Sequence, residues 1–215
     1  MLSFVLACFS YFNNNFFENH LVIPELQIDL TKKFAMRFDG ITNQLVVGSG
    51  ILHVKNKYDF SNHVLHEMIH IDNHINHIED VNNNQYHTMK FASHALRIGL
   101  GVQKDKNQGW SLTKIIAQGK MRKDFKINHE ANRKMNDLVE NLDFDEKNYL
   151  NCLELLIGQA KLLKPSKLFF LKYECSCPPP HNSIRSGRRP DGNNPIDIIC
   201  DHCKSKFICV SPLDD

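Results

Sequence analysis

The chain predicts an α+β fold: a small antiparallel sheet, then a long helix with further helices behind it, then a short cysteine-bearing module. Three observations carry this reading. Short runs rich in β-branched and aromatic residues, broken by turn residues, occupy residues 23–54. Apolar residues recur at helical spacings through residues 59–75, 86–98 and 128–163. Five of the seven cysteines lie beyond residue 174.

Length and composition set the frame. A chain of 215 residues that is 42% hydrophobic can bury one sizeable core and carry a small appendage. The expected division is residues 1–120 as the main domain, 121–170 as a helical connecting region and 171–215 as the cysteine module with its tail. No stretch is long and apolar enough to span a bilayer, so no membrane partner is expected. The opening Met1-Leu2-Ser3-Phe4-Val5-Leu6-Ala7-Cys8-Phe9 is apolar. It lacks a positively charged start and residues 10–15 offer no small-residue cleavage site, so it reads as a buried helix running to about Glu18 rather than a signal peptide. An odd number of cysteines, four of them arranged as metal ligands, points to a reducing compartment and an intracellular setting, cytoplasmic or nuclear.

Each element then follows in order. Residues 23–28, 34–38 and 44–47 read as strands, and Gly48-Ser49-Gly50 turns the last of them into residues 51–54. Asp59 or Ser61 can cap the long helix, whose apolar stripe is Val64, Leu65, Met68, Ile69 and Ile75. Residues 80–85, with three consecutive asparagines, read as a loop before a new helix that opens near His87 and runs through Phe91, Ala95, Leu96 and Ile98. Met135, Leu138, Val139, Leu142, Leu150, Leu153, Leu156, Ile157 and Leu162 predict one or two packing or linking helices with a break at residues 143–145.

The long helix carries His66-Glu67-Met68-Ile69-His70. Residues four apart lie one above the other on a helix, so His66 and His70 can converge on one Zn²⁺ at about 2.0–2.1 Å. Glu67 points about 100° around the helix and is free to work on a water that the metal activates. A catalytic zinc takes three protein ligands and keeps a fourth position open, so a third ligand is expected downstream among His74, His77, Glu79, His87 and His94. His74 lies about 12 Å up the helix from His66, too far to share its ion. The loop can return His87 to the metal, which makes it the best third ligand with His94 second. A metzincin pattern would need glycine at 73 and histidine at 76, where this chain has Asn73 and Asn76.

Cys175 and Cys177 followed by Cys200 and Cys203 give C-x-C and C-x-x-C, a spacing that can close a tetrahedral structural zinc site. Cys209 competes for a ligand position. Between the pairs runs Ile184-Arg185-Ser186-Gly187-Arg188-Arg189-Pro190-Asp191-Gly192, a basic turn-rich loop. From Lys161 to Lys206 there are nine lysines and arginines against four acids, a local charge of +5 in a chain whose formal net charge is +2. Arg185, Arg188 and Arg189 suit nucleic-acid phosphate and equally an acidic protein surface.

At these residues the chain resembles the SprT-like zinc metalloproteases, a family that includes proteases repairing DNA–protein crosslinks. The resemblance rests on Tyr11-Phe12-Asn13, Phe16-Phe17, residues 21–26, the LHEMIH of residues 65–70 and the block from His87 to Phe91. It continues in Tyr173, Cys175, Cys177, Arg185-Ser186-Gly187-Arg188, Cys200 and Cys203. It covers the first half and the last quarter of the chain, and the order of motifs carries it more than any single one.

The resemblance implies a zincin-like protease domain followed by a zinc ribbon, with one catalytic and one structural Zn²⁺. It makes His66, His70 and His87 the catalytic ligands, Glu67 the general base, and Cys175, Cys177, Cys200 and Cys203 the structural ligands. The implied activity is hydrolysis of peptide bonds in a protein substrate, with DNA-bound or crosslinked protein as the class the family suggests. Two departures stand out: Thr88 follows the third histidine where the family often has glycine, and residues 120–167 match nothing in it. Two readings compete with the protease. One is a nucleic-acid-binding zinc protein whose HExxH site is only structural; the other is a zinc hydrolase of non-protein amides.

Overall fold

The computed structural model describes residues 1–117, 124–163, 171–179, 182–186 and 198–209. The chain is α+β and forms two units, Met1–Leu163 and Lys164–Asp215.

The first unit opens with α1, Leu2–Phe16, which buries Val5, Cys8, Phe9 and Phe12. Asn13 ends its buried face: its side-chain amide donates to the Leu21 carbonyl at 2.9 Å and accepts from the Leu21 N–H at 3.2 Å. Three strands follow, β1 (Glu25–Asp29), β2 (Met36–Asp39) and β3 (Gln44–Gly48), in the order β1-β3-β2. The expected all-antiparallel sheet is corrected here. β2 runs antiparallel to β3, but β1 runs parallel to it, from Glu25 opposite Gln44 to Asp29 opposite Gly48. The chain leaves β1, enters the sheet at its far edge as β2, and only then returns between them as β3.

The strand expected at residues 51–54 is also corrected: Ser49–His53 is a 3₁₀ helix. The N–H groups of Gly48, Ser49 and Gly50 go to the carbonyls of Ala35, Lys32 and Phe34 rather than to a strand ladder. With those donors used, the backbone curls over the 32–35 loop and buries Ile51 completely.

α2 spans Lys57–Ile75 and begins a turn earlier than expected, capped by Asn56 rather than Asp59 or Ser61. The Asn56 side chain accepts from the Asp59 N–H at 2.9 Å, and Asp59 sits in the first turn where a carboxylate complements the helix dipole. Phe60, Val64, Leu65, Met68 and Ile69 are fully buried, whereas Ile75, expected in the stripe, is 43% exposed at the helix end.

α3 (Met89–Ile98) is capped by Thr88, whose hydroxyl accepts from the Lys90 N–H, and it stops at Gly99 in the left-handed region at φ 100°. β4 (Gly101–Asp105) and β5 (Gly109–Lys114) then form an antiparallel hairpin. α4 (His129–Glu140) and α5 (Glu146–Leu163) complete the unit, with the break at residues 141–145. Both pack into the same core as α1 to α3, through Met135, Val139, Tyr149 and Leu153. Tyr149 is wholly buried and satisfies its hydroxyl on the Val54 carbonyl at 3.0 Å.

In the second unit β6 (Leu171–Glu174) pairs with β7 (Ser183–Ser186) on one side and β8 (Ile208–Cys209) on the other, both antiparallel. Its described buried residues are centred on Cys175, Cys177 and Cys200. Among the described residues no helix is long and apolar enough to cross a membrane.

Candidate metal centres

His66 and His70 project from successive turns of α2. His87 comes to them from the end of the 81–87 loop, which is held by backbone bonds rather than by a helix. The His87 N–H donates to the Gln108 carbonyl at 2.9 Å, and the His87 carbonyl accepts from the Trp110 N–H at 3.1 Å. His87 is thereby bridged to Val81 on one side and Gly109 on the other. Gly109 has φ 71°, and a Cβ there would stand 2.3 Å from the His87 carbonyl oxygen. Only glycine fits.

The three imidazoles meet through Nε2. His70 Nε2 lies 3.3 Å from His66 Nε2 and 3.1 Å from His87 Nε2, and one ligand atom from each ring lies within 4.8 Å of the others. Four ligands at 2.0–2.1 Å around a tetrahedral ion stand about 3.4 Å apart, so the spacing suits one small cation.

The outer nitrogens strengthen this. Each Nδ1 has its own partner: Thr113 Oγ1 at 3.1 Å for His66, Asp80 Oδ2 at 2.8 Å for His70, and the Gln108 carbonyl at 3.2 Å for His87. A carboxylate and a carbonyl can only accept, so in the neutral rings His70 and His87 carry their protons on Nδ1. Their Nε2 lone pairs then face each other across 3.1 Å with no hydrogen between them. A cation among them resolves that repulsion. Phe91, one helical turn beyond His87, supports all three rings at centroid distances of 4.7 Å and stacks on His70.

The electrostatics agree. Burial, followed by the neighbouring imidazoles, holds His66 well below the usual histidine range. Burial and His70 together bring His87 to about 4. Both rings therefore keep free lone pairs at neutral pH. Burial works in the same direction on His70, but the Asp80 hydrogen bond and the Glu67 charge outweigh it and the net shift is upward. Glu67 is 6% exposed, and burial raises its carboxyl to about 7. Its Oε2 accepts from the Phe38 N–H at 2.7 Å, on the outer edge of β2.

The other histidines fall elsewhere. His94, the second choice for third ligand, is buried but turned to Asn73 and Arg97, and it does not join the group. His74 packs its ring against Phe38 at 5.6 Å, and His77 lies just past the helix end with φ 56°. Sequence reasoning missed Asp80, Thr113, Gln108 and Phe91 as supports. Phe91 alone had a local signal, its position four residues after His87.

Cys175, Cys177, Cys200 and Cys203 form the second group, their sulfurs all within 4.8 Å of one another. Cys177 and Cys200 stand 3.8 Å apart, the edge expected of a tetrahedron with metal–sulfur bonds of about 2.3 Å. The first pair follows β6. The second sits on a tight turn, where the Lys204 N–H returns to the Cys200 carbonyl at 2.8 Å with Lys204 at φ 56°. The backbone N–H of Cys203, then the Asn182 amide, bring the Cys200 thiol down to about 6. The adjoining thiol of Cys175 is the first cause that pushes Cys177 up to about 12. Hydrogen bonds with Ser205 lower the Cys203 thiol as well, and a cluster with two thiols lowered and one raised suits a cation that neutralises the set. Cys209 stands on β8 opposite Tyr173. Arg185 stands on β7 opposite Lys172, and Arg188 and Arg189 lie outside the described residues.

No protein-family profile, curated protein or solved structure matches this chain.

Proposed function

We propose that the protein is a zinc-dependent endopeptidase of the SprT-like type. In this reading residues 1–120 carry a zincin-like protease site and the cysteine unit is a structural zinc ribbon. The observation that carries it is the convergence of three Nε2 atoms, each ring braced at Nδ1, beside a buried carboxylate that is not itself one of the ligands. A structural zinc is closed by four protein ligands; three histidines leave a position for substrate. Zinc held there supplies Lewis acidity, polarising a carbonyl and acidifying water.

Glu67 takes the proton from the attacking water and delivers it to the leaving amine. An extended peptide adding to the outer edge of β2 would compete for the Phe38 N–H, and in doing so free the Glu67 carboxylate for that work. Strand addition of this kind makes few demands on substrate side chains. The substrate class is protein bound or crosslinked to DNA, with the basic segment around Arg185, Arg188 and Arg189 contacting phosphate.

The bond from Phe38 to Glu67 also favours a second reading, in which Glu67 only ties the edge strand to α2 and the zinc protein binds nucleic acid without cleaving. Glu67→Gln separates the two because its amide oxygen can still accept from Phe38 while it cannot act as a base. Metal content and proteolysis of a DNA-binding protein are compared for wild type and Glu67→Gln, each with and without single-stranded DNA. Two zincs per chain in both, with cleavage in the wild type alone, is the expected result. Two zincs with no Glu67-dependent cleavage of any protein or small amide offered would favour the binding protein, and cleavage of small amides alone the non-protein hydrolase.

A further inference from the structure

Behind the histidine centre lies a set of buried polar side chains that the cleavage chemistry does not use. Asn73 is 1% exposed, Asp80 6% and His94 7%. They form one line of hydrogen bonds. Arg97 Nη2 donates to His94 Nε2 at 2.8 Å, and His94 Nδ1 pairs with Asn73 Oδ1 at 3.0 Å. Asn73 Nδ2 donates to Asp80 Oδ2 at 2.8 Å, and the same oxygen takes His70 Nδ1 at 2.8 Å.

The direction of every bond follows from the far end. A guanidinium has donors and no acceptor, so His94 Nε2 must accept and the His94 proton must sit on Nδ1. That proton obliges Asn73 to present its oxygen to His94 and therefore its NH₂ to Asp80. Asp80, receiving on Oδ2 from both sides, holds the His70 proton on Nδ1 and leaves Nε2 bare. The Asp72 carboxylate lies 3.9 Å from Arg97 and 3.4 Å from His94. Asp80 also serves the third ligand, since its carbonyl accepts from the N–H of Thr88, the cap that follows His87, at 2.8 Å.

We propose that His94, Asn73 and Asp80 are positioning residues of the histidine metal centre. They fix the tautomer and aim of His70, and Asp80 couples the place of His70 to that of His87. This rests on the reading of His66, His70 and His87 as metal ligands. Burying three polar side chains costs free energy unless every partner is met, and here the line ends on a nitrogen with no other task than to face the centre.

The test uses the full chain and two readouts other than activity: zinc affinity by chelator competition, and the ¹⁵N shifts of the His70 ring before zinc enters the histidine centre. Asp80→Ala should weaken zinc at the histidine centre 10- to 100-fold and release the His70 tautomer. Asp80→Asn, which keeps shape and the accepting oxygen, should fall between Ala and wild type. Asn73→Asp sets two carboxylates against each other and should cost at least tenfold. Zinc in the cysteine site should be unchanged in all three, and its retention serves as the internal standard. Wild-type affinity and an unmoved His70 tautomer in Asp80→Asn and Asn73→Asp would overturn the proposal while leaving the metal centre standing. A wild-type chain that binds zinc only through its cysteines would overturn the metal reading itself, and this proposal with it.

Discussion

Gly109→Ala tests whether the third ligand is held through its backbone. The site lies outside every metal-binding motif, and its side chain would touch no metal. Gly109 adopts φ 71°, a conformation that costs an alanine about 1–2 kcal/mol. The new methyl would also lie 2.3 Å from the His87 carbonyl oxygen, and 2.6 Å and 2.7 Å from ring carbons of Tyr86. Real Cβ contacts stop near 3.0 Å, so His87 and residue 109 must part by about 0.7 Å. Metal ligands tolerate displacements of about 0.2 Å. A ligand moved several times that far should lose its share of the ion, so the affinity for zinc at the histidine centre should fall 10- to 100-fold, about 1.4–2.7 kcal/mol. Chelator competition measures this, with the cysteine site as reference. Urea unfolding of the first unit should show a loss of about 1–3 kcal/mol. A variant with wild-type zinc affinity and the expected loss of stability would refute the argument, because the backbone of His87 would then have moved without consequence for the ion.

Two further outcomes follow from the same structure. The described buried residues of the second unit are Tyr173, Cys175, Cys177 and Cys200, so a strong chelator should unfold it while the first unit stays folded; amide hydrogen exchange read separately for residues 171–209 and 1–163 checks this. Acid should weaken the first unit through His94, which burial and then Arg97 bring to about 4, with Asp72, Asp80 and His20 opposing or adding weaker effects. The folded value lies below the 6.5 of the unfolded chain, so this stability is intact above pH 6.5 and is lost as pH falls toward 4. The interval is worth about 3 kcal/mol. His94→Gln should flatten the pH dependence of urea unfolding across that window, and an unchanged slope would count against it.

What was legible in the sequence was local. The helical repeat places His66 and His70 together whatever the rest of the chain does, and the cysteine pairs announce themselves by spacing. Thr88 opens the helix by the ordinary N-cap rule, its hydroxyl accepting from the Lys90 N–H. The parallel pairing of β1 with β3 was not legible because period-two alternation does not record strand direction. The β4–β5 hairpin was missed because Gln103, Lys104, Ser111 and Thr113 dilute its apolar signal, and its turn lacks an Asn-Gly or Asp-Gly pair. Yet that hairpin supplies Gln108, Gly109 and Trp110 to the backbone of His87 and Thr113 to the ring of His66.

The two groups that could hold metal ions therefore stand in opposite relation to folding. At the cysteine site the ligands are most of the described buried core, so a metal there has to supply the stability that burial does not. At the histidine centre the aim of each ring is set from a different place: Thr113 on β5, Asp80 in the loop after α2, and Gln108 in the turn before β5. These partners stand 47, 10 and 21 residues from the histidines they hold, so they come together only once the helices and hairpin have packed. The core of Phe9, Phe12, Leu65, Met68 and Tyr149 does that packing without drawing on any ligand. A centre assembled in this way is aimed before an ion arrives, and the repulsion among its lone pairs is a cost already met by the fold. Preorganisation of that kind is what a reacting site needs, because an ion that need not hold the fold together can keep one coordination position for substrate.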